Sequence, residues 1–320
     1  MRVLFTSTVV LATVSVVACG AVRTIHVPAT PPSQTQLAQL WIDPGPAPRD
    51  LFWGIGGEQR APAKDAVYKI KARDDSGFSA SYDVEDPDGL EWSAKIGPEA
   101  QTEVVVSRIL WGLGYHQPPV YYLPSWTVDL GKGERKRESE ARFRPKLSQL
   151  KHLKEYWHWA DNPFLGAREF RGLLVVMLML NSTDLKDDNN SIYEVSEPWD
   201  GANRWYFPRD IGAALGETGK LYPRRNWLPG FEKEPFLAEV TEKAVRIDYK
   251  GRHQELLKMI APDDVRWAAD RMSHLTDTQW RDAFRAGNYS DADAARYIAR
   301  IKEKIADGIA LRVDRRVSND

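Results

Sequence analysis

The sequence predicts an α+β protein of two lobes: a small antiparallel β lobe with one main helix, then a larger and mainly helical lobe. Three observations predict it. Residues 67–97 alternate apolar and polar side chains around two turn signals, Asp75-Ser76-Gly77 and Asp86-Pro87-Asp88-Gly89, which is the period of half-buried strands. A helical stretch follows at once, opened by Pro98 and stopped at Gly112 or Gly114. Beyond Lys146 the pattern turns helical, interrupted between Leu180 and Gly212 by a polar loop and a hairpin-like stretch.

The N-terminal segment reads as an address. Met1-Arg2 is positive, Val3 to Ala18 is an apolar run too short to span a bilayer, and Val16-Val17-Ala18 ends it with small residues. This predicts a signal peptide over 1–18. Cys19 is the only cysteine in 320 residues, so the chain has no disulfide of its own. Its position resembles the lipobox of bacterial lipoproteins, where the cysteine is freed and acylated; an ordinary secretory signal is the alternative. Several acyl chains on Cys19 would anchor the protein firmly, where a single chain binds marginally. The expected location is the bacterial cell envelope, outside the cytoplasmic membrane, with membrane contact through the Cys19 lipid only.

Residues 19–50 are rich in Pro, Thr, Gln and Ala and read as a tether whose end docks through Leu40 and Trp41. The small lobe is expected over 51–130, the helical lobe over 131–315 and a tail over 316–320. In the small lobe, 67–97 forms a three-stranded meander with Lys95 in the third strand, and PVYYLPSWTVDL adds one or two strands after the helix. The charged run 131–146 reads as an exposed loop or hinge. KLSQLKHLKEYWHWADNP reads as an amphipathic helix carrying His152 and His158, and AREFRGLLVVMLMLN as a buried central helix ending at Asn181. Helix caps are expected at Asp263-Asp264, Thr276-Asp277 and Ser290-Asp291.

Composition excludes some functions. Lys plus Arg (44) nearly balances Asp plus Glu (45), which gives no field for nucleic acid. The six histidines lack zinc-site spacing, and no G-x-S-x-G elbow is present. The twelve tryptophans are spread from Trp41 to Trp280 and read as core packing. A glycan binder would instead expose them in a row.

The residues that point to chemistry lie in order: a strand lysine, Lys95; a helix glutamate, Glu103, preferred over Glu99 as its partner; the loop Asp184-Leu185-Lys186-Asp187-Asp188-Asn189; and Arg209-Asp210-Ile211-Gly212. The loop is not an EF-hand, because Lys186 stands where that motif needs an oxygen and no glycine follows at the sixth position. A carboxylate and an amide oxygen suit magnesium.

This order resembles the protein-kinase-like superfamily. With no G-x-G-x-x-G over the phosphates, it is more similar to the atypical HipA-like, CotH-like, phosphoinositide and secretory-pathway kinases. RDLFWGIGG, EWSAKIGPEAQTEVVVSRILWGLGY and WRDAFRAGNY are similar to segments of a group of bacterial kinase-like lipoproteins. The resemblance implies ATP and Mg²⁺ as donor and cofactor. It also implies Asp184 as the group that orients the acceptor hydroxyl and Lys186 beside the transferred phosphoryl group. Lys95, fixed by Glu103, would sit on the donor phosphates, with Asn189 and Asp210 on the metal. Ser182 and Thr183 stand where H-R-D has histidine and arginine, and the 189–210 gap is long. Two functions follow: a lipid-anchored phosphotransferase acting on an envelope protein, lipid or sugar hydroxyl, or a catalytically inactive pseudokinase-type scaffold. ATP is scarce outside the cytoplasm, which favours another donor or the scaffold.

Overall fold

The computed structural model describes residues 25, 27–74, 79–183, 185–219, 223–249 and 251–312. Cys19, Asp184, the hairpin tip 75–78 and the tail 316–320 lie outside the described residues.

The first element is the single turn α1 (Gln34–Leu37), closed by Ser33. The Ser33 hydroxyl accepts from Gln36 N, and its own amide donates to Gln36 Oε1 at 2.9 Å. Leu40 is buried, Trp41 Nε1 donates to the Leu113 carbonyl at 2.7 Å, and Ile42 N donates to the Gly114 carbonyl at 3.0 Å. Docking through Leu40 and Trp41 is therefore present. From Gln34 onward the segment belongs to the fold.

The small lobe is one sheet. β1 (Val67–Asp74), β2 (Ser81–Glu85) and β3 (Glu91–Ile96) form the expected antiparallel meander. Asp86 shapes the β2–β3 turn by accepting from Asp88 N at 3.0 Å and Leu90 N at 2.9 Å, while Gly89 takes φ +85°. α2 (Glu99–Gly112) follows, then β4 (Tyr121–Leu123), β5 (Trp126–Gly131), β6 (Glu134–Glu138) and β7 (Ala141–Pro145). The seven strands run in the order β4-β7-β3-β2-β1-β5-β6. Only β1 and β5 pair in parallel. Tyr68, Tyr82, Trp92, Trp126 and Phe143 fill its core, with Trp126 edge-on to Phe143 at 5.3 Å and to Tyr82 at 5.5 Å. Such aromatic pairs each add about 0.5–1.5 kcal/mol beyond their burial.

The charged run departs from expectation. Residues 131–137 are exposed as expected but include most of the strand β6, whereas Ala141–Pro145 forms β7 and is buried throughout. The reason is its alternation: Ala141 and Phe143 enter the aromatic core, while Arg142 and Arg144 meet a buried carboxylate on α2. The sheet thus crosses the boundary expected at 130/131 and ends at Pro145.

The larger lobe contains β8 (Leu150–His152), α3 (Arg168–Met179), β9 (Asn190–Trp199) and β10 (Ala202–Pro208). It continues with α4 (Leu228–Lys233), β11 (Leu237–Val240), β12 (Val245–Ile247) and α5 (Gln254–Leu257), then α6 (Pro262–Ser273), α7 (Asp277–Ala286) and α8 (Asp291–Ile309). The amphipathic helix expected around His152 and His158 is absent. Leu150–His152 is a strand instead, paired with β9 in the register Leu150↔Val195 and His152↔Tyr193. The β9–β10 hairpin presents an unpaired edge there, and only an extended segment can satisfy its amide groups. α3 is buried along most of its length, as its all-round apolar character predicts. Thr276 and Ser290 cap α7 and α8. None of the twelve tryptophans is exposed, so no row of tryptophans faces solvent. No described helix is long and apolar enough to cross a membrane.

Candidate functional site

Lys95 is the penultimate residue of β3, and α2 begins four positions later. The tight strand-to-helix turn therefore sets Glu99 beside it, with Lys95 Nζ 3.1 Å from Glu99 Oε2. The same ammonium lies 3.4 Å from Asp210 Oδ1, across 115 residues of chain. Arg225 pairs with the other Glu99 oxygen.

Glu103, expected to fix Lys95, does not hold its ammonium. It lies one helical turn further along, with no exposure; its Oε1 is ion-paired with Arg142 Nε at 2.8 Å and accepts from Arg144 Nη2 at 2.7 Å. β7 runs antiparallel beside β3, with Arg142 opposite Lys95 and Arg144 opposite Ser93. The two arginines therefore reach Glu103 first, and Glu99 at the helix start is left for the lysine.

The loop after α3 and the segment after β10 are stitched together by main-chain bonds. Thr183 N donates to the Ala213 carbonyl at 2.8 Å, Leu215 N to Leu180 O at 2.9 Å, and Arg209 N to Asn189 O at 2.8 Å. Asp210 N adds a longer bond to Asn189 O at 3.3 Å, so Asn189 and Asp210 are neighbours. Asn181, in the left-handed region at φ 52°, donates its amide to Gly216 O at 2.8 Å. Gly212 is required by contact: a Cβ there would come 2.6 Å from Glu99 Cβ and 2.8 Å from its carbonyl oxygen. The D-x-G glycine thus lets Asp210 approach the Lys95–Glu99 pair.

Behind this loop Lys304 of α8 has no exposure. It donates to Met179 O at 2.9 Å and Asn181 Oδ1 at 2.7 Å, and lies 4.3 Å from the Phe231 ring centre. Burial, and to a lesser degree Arg300, lower its pKa to about 7.

The single 3₁₀ turn 187–189 follows Lys186, which is half-buried. Asp187 accepts from Trp159 N at 2.8 Å and lies 3.3 Å from His158 Nδ1, so it anchors the loop to the 157–162 segment. Asp184 lies outside the described residues.

Charge decides the character of the cleft. Burial alone would raise the Asp210 carboxyl, but Lys95, Arg142, Arg144 and Arg209 outweigh it and hold the pKa at about 2. Its side chain is still 40% exposed, open to a ligand. Lys95 is pulled down by burial and pushed further up by Glu103, Asp210 and Glu99, so it stays charged. Burial lowers Arg142 to about 10, still protonated at neutral pH. Burial, with Arg209 and Arg144 nearby, drives His152 down to about 4, so it is neutral. Among the described residues, Lys95, Arg142, Arg144, Arg209 and Arg225 face Glu99, Glu103 and Asp210. Lys95, Arg142, Arg144 and Arg209 all act on the one carboxylate Asp210, a concentration of cations that suits an anionic ligand.

As for a metal, no group of three His, Cys, Asp or Glu side chains that could hold an ion occurs among the described residues. Asp210 and Asn189 form a two-member set. Magnesium commonly takes one or two protein ligands, here the Asp210 carboxylate and the Asn189 amide oxygen, and completes its shell with water and phosphate oxygens. The donor set therefore fits an ion arriving with a phosphate ligand. Sequence reasoning ranked Glu99 second to Glu103, named Arg209 only as the residue before Asp210, and missed Arg142, Arg144 and Lys304. The Arg-Phe-Arg alternation at 142–144 was a signal for the pair on β7; nothing marked Lys304.

No family model matches the chain, and no curated protein matches it. Among solved structures, a Helicobacter pylori proinflammatory kinase, CtkA, is similar, at 11% sequence identity and a TM-score of 0.45. The match covers 76% of this chain and 95% of that chain. A score of that size transfers neither residue roles nor activity from one protein to the other.

Proposed function

We propose that this chain is a kinase-like protein whose cleft takes a phosphate donor, ATP with Mg²⁺ in the first instance, and passes a phosphoryl group to an envelope hydroxyl. Lys95, fixed by Glu99, holds donor phosphates. Asp210 and Asn189 would hold the metal, which would supply neutralisation of charge on the phosphate oxygens. Asp184 orients the acceptor hydroxyl, and Lys186 lies beside the transferred group. Acylated Cys19 tethers the protein to the membrane, and the acceptor is an envelope protein, lipid or sugar.

One observation carries this reading: Lys95 and Asp210 meet at 3.4 Å in a cleft with concentrated positive charge, brought together from opposite lobes. The same contact also favours a second reading. A lysine seated on Asp210 caps the carboxylate a metal would need, which suits a pseudokinase-type scaffold. Thermal melting separates the two. A ligand that binds only the folded state raises the melting temperature, by about 2.7 kcal/mol of stability at a hundredfold excess over Kd. The kinase-like reading predicts a shift with ATP that needs Mg²⁺ and disappears in Asp210→Asn. No shift with any nucleotide at millimolar concentration leaves the scaffold.

A further inference from the structure

The wall beside Asp210 holds more buried hydrogen-bond donors than the chain uses. Arg144 is 4% exposed; its Nη2 is taken by Glu103 and by the Arg209 carbonyl at 3.2 Å, yet its Nε and Nη1 have no partner. Arg209 Nε is also buried without a partner, and no hydrogen bond from its guanidinium occurs among the described residues. The Asn189 amide nitrogen is the fourth such donor, on the residue whose carbonyl binds Arg209 N. Arg144 and Arg209 are near enough that each contributes to driving His152 toward neutrality, and Arg144 lowers Arg209. Buried unpaired donors on charged groups are costly, and two like charges held together add to that cost. The unpartnered acceptor in the group, Glu103 Oε2, sits on a carboxylate already clamped by two arginines.

A surface of donors with concentrated positive charge matches a phosphate, which has only acceptors and takes the arginine fork well. We propose that Arg144, Arg209 and the Asn189 amide form a phosphate-recognition subsite next to Asp210, so that the cleft recognises its ligand through a phosphate chain, an inorganic polyphosphate being sufficient. This deepens the proposed function by naming the donor class, and it accounts for a kinase-like site in a compartment poor in ATP.

The test is calorimetric titration of the full-length protein with Mg²⁺-tripolyphosphate, MgATP and adenosine, for the native chain, Arg209→Gln, Arg144→Gln and Asp210→Asn. Arg209→Gln is the decisive variant, because its guanidinium makes no hydrogen bond among the described residues and its loss relieves repulsion with Arg144, at the cost of one of the four cations that act on Asp210. The subsite predicts that tripolyphosphate binds at least as tightly as ATP, that adenosine does not bind, and that Arg209→Gln weakens tripolyphosphate about tenfold or more. Three results overturn it: binding of ATP without tripolyphosphate, tripolyphosphate binding that Arg209→Gln leaves unchanged, or adenosine binding as tightly as ATP. In each case ATP binding lost in Asp210→Asn keeps the kinase-like reading alive. Tripolyphosphate binding that depends on Arg209 but not on Asp210 keeps the subsite and removes that reading. No binding by any ligand removes both.

Discussion

Replacing Glu103 with Gln tests the buried charge network that underlies the cleft. Glu103 has no exposure; its Oε1 is ion-paired with Arg142 Nε at 2.8 Å and accepts from Arg144 Nη2 at 2.7 Å, and the two arginine side chains are themselves at most 5% exposed. Removing one partner of a buried ion pair costs about 3–5 kcal/mol, because a charge is left without compensation. Here one substitution strands two, and the amide oxygen of Gln recovers a single neutral hydrogen bond, so a loss within that range is expected. At about 2–3 °C per kcal/mol for a chain of this size, the melting temperature falls by about 6–15 °C. Differential scanning calorimetry reads this directly. A control carries the same logic further: Glu103→Leu combined with Arg142→Met and Arg144→Met removes the charges together and recovers much of the loss. If Glu103→Gln melts within about 1 °C of the native protein, the arginines are compensated elsewhere and the charge account of the cleft is wrong.

Other predictions follow from the same geometry. Gly212→Ala places a methyl 2.6 Å from Glu99 Cβ; the strain costs about 1–3 kcal/mol and weakens ligand binding beyond what the stability loss explains, measured by melting and titration together. Glu99→Gln removes the carboxylate that Lys95 and Arg225 share and weakens phosphate binding, with a smaller stability loss than Glu103→Gln because Lys95 keeps Asp210 and both cations are more exposed than Arg142 and Arg144. The folded Asp210 pKa, about 2, lies below its ordinary 3.8. Its contribution to stability is therefore full above about pH 4 and fades as pH falls toward 2. The difference in melting between the native chain and Asp210→Asn should accordingly stay level from pH 8 down to about pH 5 and change only below about pH 4, and a difference that titrates with a midpoint near pH 6 would contradict the assignment. Lys304 is depressed to about 7 from 10.5, so the unfolded chain holds more protons between those values and stability rises with pH across that window. The Lys304→Met variant loses this rise when melting is followed from pH 6 to 10.

Local patterning carried much of the fold. The alternation at 67–97 led directly to the β1–β3 meander, and the unbroken apolar face of 168–180 to a buried α3. It failed where tertiary pairing overrode it. Residues 150–152 are polar enough for an exposed helix, but the β9 edge recruits them as a strand. Residues 141–145 look like a solvated charge run, but Glu103 waits on α2 to neutralise their arginines. Choosing between Glu99 and Glu103 depended on which residues occupied the neighbouring strand, and helical spacing holds no information about that. Lys304 lies more than a hundred residues from the loop it supports, and only packing brings it there.

The most direct test of the central claim is a crystal structure of the protein with Mg²⁺ and a non-hydrolysable phosphate donor. The account predicts a metal at about 2.0–2.1 Å from oxygens of Asp210 and Asn189, with Lys95 moved from Asp210 onto a phosphate. A donor bound elsewhere, with the Lys95–Asp210 contact intact, would contradict it.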